Sequence, residues 1–125
     1  MERLKIKADK DNPEVFFDGA GRLFMGGASL PENPKEFFDP ILQWIEMYKK
    51  NAQSTTYVEF RFEYLNTAST FMMARIIESL ADIQKARSGF SLTWYYPCGD
   101  YDMRELGEEL LERTDIKYTI LEEDQ

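Results

Sequence analysis

Two segments with strand periodicity enclose one with helical periodicity, and no other feature constrains the fold as tightly. In Tyr57 to Leu65, the residues Val58, Phe60, Phe62 and Tyr64 share one face; Tyr57, Glu59, Arg61 and Glu63 share the other. Phe90 to Tyr96 repeats the pattern, with Phe90, Leu92, Trp94 and Tyr96 on one side. Between them, Phe71 to Arg87 carries Met72, Met73, Ile76, Ile77, Leu80 and Ile83 at helical spacing. Strand, helix and strand form a βαβ unit, whose crossover is almost always right-handed.

The flanking segments extend this unit at both ends. Glu14 to Asp18 and Arg22 to Gly27 bracket the turn signal Asp18-Gly19-Ala20-Gly21, which predicts a β-hairpin. Arg3 to Ala8 reads as a further edge strand. Asn33, Pro34 and Glu36 form a helix-start signature for a helix running to about Lys50. Its buried stripe is Phe37, Phe38, Ile41, Leu42, Trp44, Ile45 and Tyr48, and Pro40 should kink its first turns. After Pro97-Cys98-Gly99-Asp100, Asp102 to Arg113 is an amphipathic helix, and Lys117 to Leu121 is a last strand. The order β-β-α-β-α-β-α-β predicts an α/β fold, one domain over residues 1–125 with a mixed β-sheet and packed helices. Tyr57 and Tyr95 point away from the apolar stripes, toward helices expected on the second sheet face.

Charge and residue usage exclude several functions. The chain has 15 Lys+Arg against 23 Asp+Glu, a formal charge of −8, so nucleic acid and anionic membranes would meet net repulsion. There is no His, hence no Ser-His or Cys-His nucleophile pair and no imidazole metal site. Cys98 is the only cysteine, which rules out an intrachain disulfide. The alternating start Met1-Glu2-Arg3-Leu4-Lys5-Ile6-Lys7 resembles neither a secretory signal nor a membrane span, and a cytoplasmic location is expected.

Two ligand-loop motifs fail on inspection. Gly19-Ala20-Gly21 begins like a dinucleotide loop, but Phe24 takes the third glycine's place. Asp9-Lys10-Asp11-Asn12-Pro13 begins like a calcium loop, yet lacks its glycine and closing glutamate. The acidic run Asp100, Asp102, Glu105, Glu108, Glu109 and Glu112 has the spacing of a solvated helix face. No metal or other cofactor is expected, and no catalysis.

One segment stands out chemically. Tyr64-Leu65-Asn66-Thr67-Ala68-Ser69-Thr70 joins the clearest strand to the longest helix and concentrates three hydroxyls and an amide where that helix begins. Helix N-termini offer unpaired N–H groups and partial positive charge, which suit a capping oxygen or a phosphate. Plain capping by Asn66, Thr67 or Ser69 and a regulatory phosphosite both fit; spacing alone separates neither.

The same stretch resembles the Tyr-Leu-Asn-Thr-Ser-Ser junction of the SiaC family of bacterial regulatory phosphoproteins. Leu30-Pro31-Glu32-Asn33, the Met72-Met73 region and Ser91-Leu92-Thr93-Trp94-Tyr95-Tyr96 are similar as well. The resemblance implies a STAS-like fold, like that of anti-sigma-factor antagonists. It also implies phosphorylation at Thr67 by a Ser/Thr kinase with a histidine-kinase-like ATPase fold, reversed by a PP2C-type phosphatase. Asn66, Ser69 and Thr70 would support the helix start. The unphosphorylated form would bind a downstream partner, a diguanylate cyclase in c-di-GMP signalling. Ala68 stands where the family often has Ser. Two alternatives compete: an anti-sigma-antagonist-like switch in transcription control, and a metal- or small-ligand-binding enzyme.

Overall fold

The computed structural model describes residues 1–125. Strands β1 (Leu4–Ile6), β2 (Glu14–Asp18) and β3 (Arg22–Ser29) precede helix α1 (Pro34–Lys49). Then follow β4 (Thr55–Leu65), α2 (Thr67–Ala86), β5 (Gly89–Tyr96), α3 (Tyr101–Glu112) and β6 (Thr119–Glu122). The expected order is present, with the N-terminal edge strand in addition. Six strands form one sheet in the order β1-β2-β3-β4-β5-β6. The first three pair antiparallel and β3 to β6 pair parallel, which is the mixed α/β sheet expected.

Local chemistry explains the boundaries. The Asn33 side chain accepts from the Glu36 N–H at 3.2 Å, and Pro34 opens α1 where no intrahelical donor is needed. Pro40 lies on the exposed side, and α1 runs through it without a break. Of the expected α1 stripe, Phe38, Ile41, Trp44, Ile45 and Tyr48 are buried, while Phe37 and Leu42 pack at its margin. At the hairpin, Gly21 has φ 105°, and a Cβ there would lie 2.5 Å from the Thr55 carbonyl oxygen, so only glycine fits.

Each parallel crossover advances one strand in the same direction. With right-handed connections, that places all three helices on one face. The core lies between: Val15, Phe17, Leu23, Met25, Val58, Phe60, Phe62, Leu92 and Trp94 meet α1, α2 and α3 in one cluster of 28 buried residues. The second face carries no helix, contrary to the expectation for Tyr57 and Tyr95. Arginines lie there instead, Arg61 over the Tyr95 ring at 3.6 Å and Arg22 over Tyr57 at 5.3 Å.

A bulge supplies the other correction. Gly27 pairs with Phe62 but Ala28 pairs with Tyr64, so Glu63 is an extra residue in β4. Gly27 has the φ of 99° that such an irregularity favours. The extra residue reverses the alternation: Leu65 turns into the core, and Tyr64, expected there with Phe62, is 52% exposed.

Candidate functional site

The strand order never reverses, so the sheet has no topological switch point of the kind where open α/β sheets bind ligands. The Asp9-to-Asn12 turn is satisfied internally. The Asp9 carboxylate accepts from the N–H groups of Asp11 and Asn12, at 2.9 and 2.8 Å. These bonds, the Asp11 one foremost, hold its carboxyl below the usual carboxylate range. No group of three or more Asp, Glu or Cys side chains is placed to hold a metal ion. Cys98 is an exposed free thiol.

The β4–α2 junction is built differently from its surroundings. Asn66 caps α2: its side-chain oxygen accepts from the Ser69 N–H at 2.8 Å. Its own N–H donates to the Ser29 carbonyl at 3.1 Å, tying the helix start to the end of β3. Ser69 is fully buried and donates to that same carbonyl at 3.0 Å. Its hydroxyl also lies 2.7 Å from the Ser29 hydroxyl, which is itself 0% exposed. Thr70 folds back, its hydroxyl donating to the Asn66 carbonyl at 3.0 Å.

Thr67 differs from both. It is the first residue of α2, it is exposed, and its hydroxyl has no partner within the chain. The capping reading therefore belongs to Asn66, with Ser69 and Thr70 bonded into the joint that Asn66 closes. Because Asn66 takes the Ser69 N–H and its carbonyl takes that of Thr70, the N–H groups of Thr67 and Ala68 stay free. The first turn of α2 contains no acid.

Around Thr67 the surface is apolar where it should be polar. Tyr64, turned out by the bulge, precedes it by three residues, and Phe71, one turn along the same helix face, is 66% exposed. Leu30 follows Ser29 and is exposed too. Beside Tyr64, a cleft is lined by Glu63, Leu65, Asp100, Asp102, Met103 and Leu106, three of them acids and none a base. Sequence periodicity missed Tyr64 and gave no signal for Ser29. Phe71 was legible, since it falls off the Met72-Met73-Ile76-Ile77 stripe.

The arrangement is one accessible threonine on a helix N-terminus, with a rigid buried joint beneath it and exposed aromatics beside it. Nothing in it converges on a reacting atom. Known proteins of the same build have a regulatory role. A family model described as "SiaC family regulatory phosphoprotein" matches residues 6–123. An uncharacterized protein of Pseudomonas aeruginosa (strain UCBPP-PA14) is 32% identical over the whole of both chains. The structure of SiaC of Pseudomonas aeruginosa superposes with a TM-score of 0.88 at 31% identity, covering 98% of this chain and 100% of that one. A structure of the diguanylate cyclase SiaD in complex with its activator SiaC, from the same organism, matches with the same score and identity over 96% and 99%. The fold and nearly the full length agree, and the chain belongs to the SiaC family of regulatory phosphoproteins.

Proposed function

We propose that this chain is a partner switch governed by phosphorylation of Thr67, and that its bare form binds and activates a diguanylate cyclase. The observation that carries the reading is the contrast at the junction. Of three hydroxyls in four residues, only Thr67 is exposed and unengaged. A kinase with a histidine-kinase-like ATPase fold would add the phosphate and a PP2C-type phosphatase would remove it, as the family resemblance implies. The cyclase comes from the relative seen in complex with SiaD.

The chemistry of the switch follows from position. A phosphate adds about −1.5 to −2 charges at neutral pH. On Thr67 it meets the free N–H groups of the first turn, worth roughly 0.3–1 kcal/mol at an exposed helix end. On α2 the nearest base is Arg75, eight residues along, so no side chain of this helix's first turns draws the phosphate inward. The domain stays folded and the added charge stays on the surface, beside the aromatics a partner would cover. Desolvating that charge in an interface can cost about 2–5 kcal/mol, or ~30- to several-thousand-fold in affinity.

Incubation with the cognate kinase followed by fragment mass spectrometry tests the site. Phosphate on Thr67, and none after Thr67→Ala, is the expected result. Phosphate on Ser69 or Thr70 with Thr67 bare would contradict it.

A further inference from the structure

A sheet with parallel strands usually has both faces covered. Here β3 to β6 are parallel and one face has no helix on it. Pairing places Lys5, Phe16, Phe24, Glu59, Thr93 and Thr119 in one row across that face. Asp18, Arg22, Tyr57 and Ser91 form the row at the hairpin end; Glu14, Gly26 and Arg61 form a row toward the other. Phe16 and Phe24 are half-buried, and Tyr57 and Leu121 are exposed. Tyr57, Tyr95, Arg22 and Arg61, of the types enriched at interface centres, lie on it as well.

The charges on this face identify an occupant. Arg3, Lys5, Arg22 and Arg61 face Glu14, Asp18, Glu59, Glu63 and Glu123, so the face is nearly neutral on a chain of −8. Arg3 pairs with Asp18, and Arg61 pairs with Glu59 and Glu123. Apart from Lys5 in the middle row, the charges left without an ion pair lie at the two ends: Arg22 at the hairpin end, Glu14 and Glu63 at the opposite end. A two-fold axis lying across the strands superimposes one end on the other. Arg22 of each copy then meets Glu14 and Glu63 of its partner.

We infer that this open sheet face is where two copies of the chain pair, sheet against sheet. The contact is isologous, so Tyr57 and Tyr95 of both copies lie inside it. With β1, β2 and β6 only three, five and four residues long, strands ~4.8 Å apart give a face of roughly 500 Å², just below the ~600–1,000 Å² per partner of a standard interface, which suits a weak, concentration-dependent pair. The two Thr67 ends point in opposite directions and stay free.

Sedimentation of the full chain from about 1 to 300 µM, at low and high salt, tests the pairing. A concentration-dependent dimer is expected, weakened by salt. Arg22→Glu should weaken it at least about tenfold through like-charge contact with Glu14 and Glu63, and the double variant Glu14→Lys/Glu63→Lys should do the same against Arg22. Mixing the two variants should restore a dimer, because in that hetero-pair each end meets opposite charge. Circular dichroism of each variant confirms that it is folded. A chain monomeric throughout overturns the inference. So does a dimer indifferent to both variants, or a mixture of folded variants that fails to recover.

Discussion

Ser69 and Thr67 are two residues apart and carry similar hydroxyls, yet the surroundings give them opposite uses. Ser69 lies in a buried joint with Ser29, whose hydroxyl has the Ser69 hydroxyl as its one partner. Ser69→Ala should therefore cost about 1–3 kcal/mol, because the Ser29 hydroxyl loses its partner without reaching water. Asn66→Ala should cost about 0.5–2 kcal/mol as a lost helix cap. Thr67→Ala breaks no bond in the chain, and a surface change of that kind falls within about ±0.5 kcal/mol. Denaturant melts of the three variants check that ranking; a Thr67→Ala variant as unstable as Ser69→Ala would mean that Thr67 is structural. The sequence places a cap and hydroxyls at this junction but cannot divide the roles among them. That division depends on Ser29, forty residues away along the chain.

At the scale of elements, α3 approaches β5 closely enough that one glycine governs the contact. A Cβ on Gly107 would lie 2.5 Å from the buried Trp94 indole, whose N–H donates to the Met103 carbonyl at 3.2 Å. Gly107→Ala should cost about 1–3 kcal/mol through overpacking, despite the better helix propensity of alanine. A variant of unchanged stability would show that α3 can shift. Between α1 and α2, Lys49 bridges Glu46 at 2.8 Å and Asp82 at 2.9 Å. The Lys49 hydrogen bond, helped by that of Ser79, holds the Glu46 carboxyl below its ordinary value. Partial burial pushes the Lys49 ammonium down, but its bonds to Glu46 and Asp82 more than offset this, leaving it raised. For a depressed carboxylate, the stabilisation is present at neutral pH and fades as pH falls through the carboxylate range; for the raised lysine it is lost only in the alkaline range. Lys49→Met should move the Glu46 titration, followed by carboxyl NMR, up toward the ordinary range, and an unmoved midpoint would remove Lys49 as the cause. The existence, type and order of the elements were legible because hydrophobic periods of two and about 3.6 residues are strong local signals. The β4 bulge was not, since it arises from pairing with Gly27 rather than from anything within Tyr57 to Leu65. One-sided placement of the helices was equally hidden. It follows from strand order, which no single segment encodes.

At the scale of the whole molecule, we assign three tasks to separate parts of the chain. A core under three helices provides stability, the open face of the sheet is assigned to a second copy, and the α2 N-terminus with its exposed aromatics is assigned to partner control. No helix is long and apolar enough to cross a membrane. This separation makes the central claim sharp: phosphate on Thr67 should alter binding without altering the fold. Thr67→Glu, with a single charge, should weaken the cyclase complex less than phosphate does. The most direct measurement titrates bare and Thr67-phosphorylated protein against the cyclase and records thermal melts of both forms in the same buffer. The account predicts superimposable cooperative melts, with affinity lower by ~30-fold or more for the phosphorylated form. Equal affinities, or a phosphorylated form that loses its cooperative melt, would contradict it.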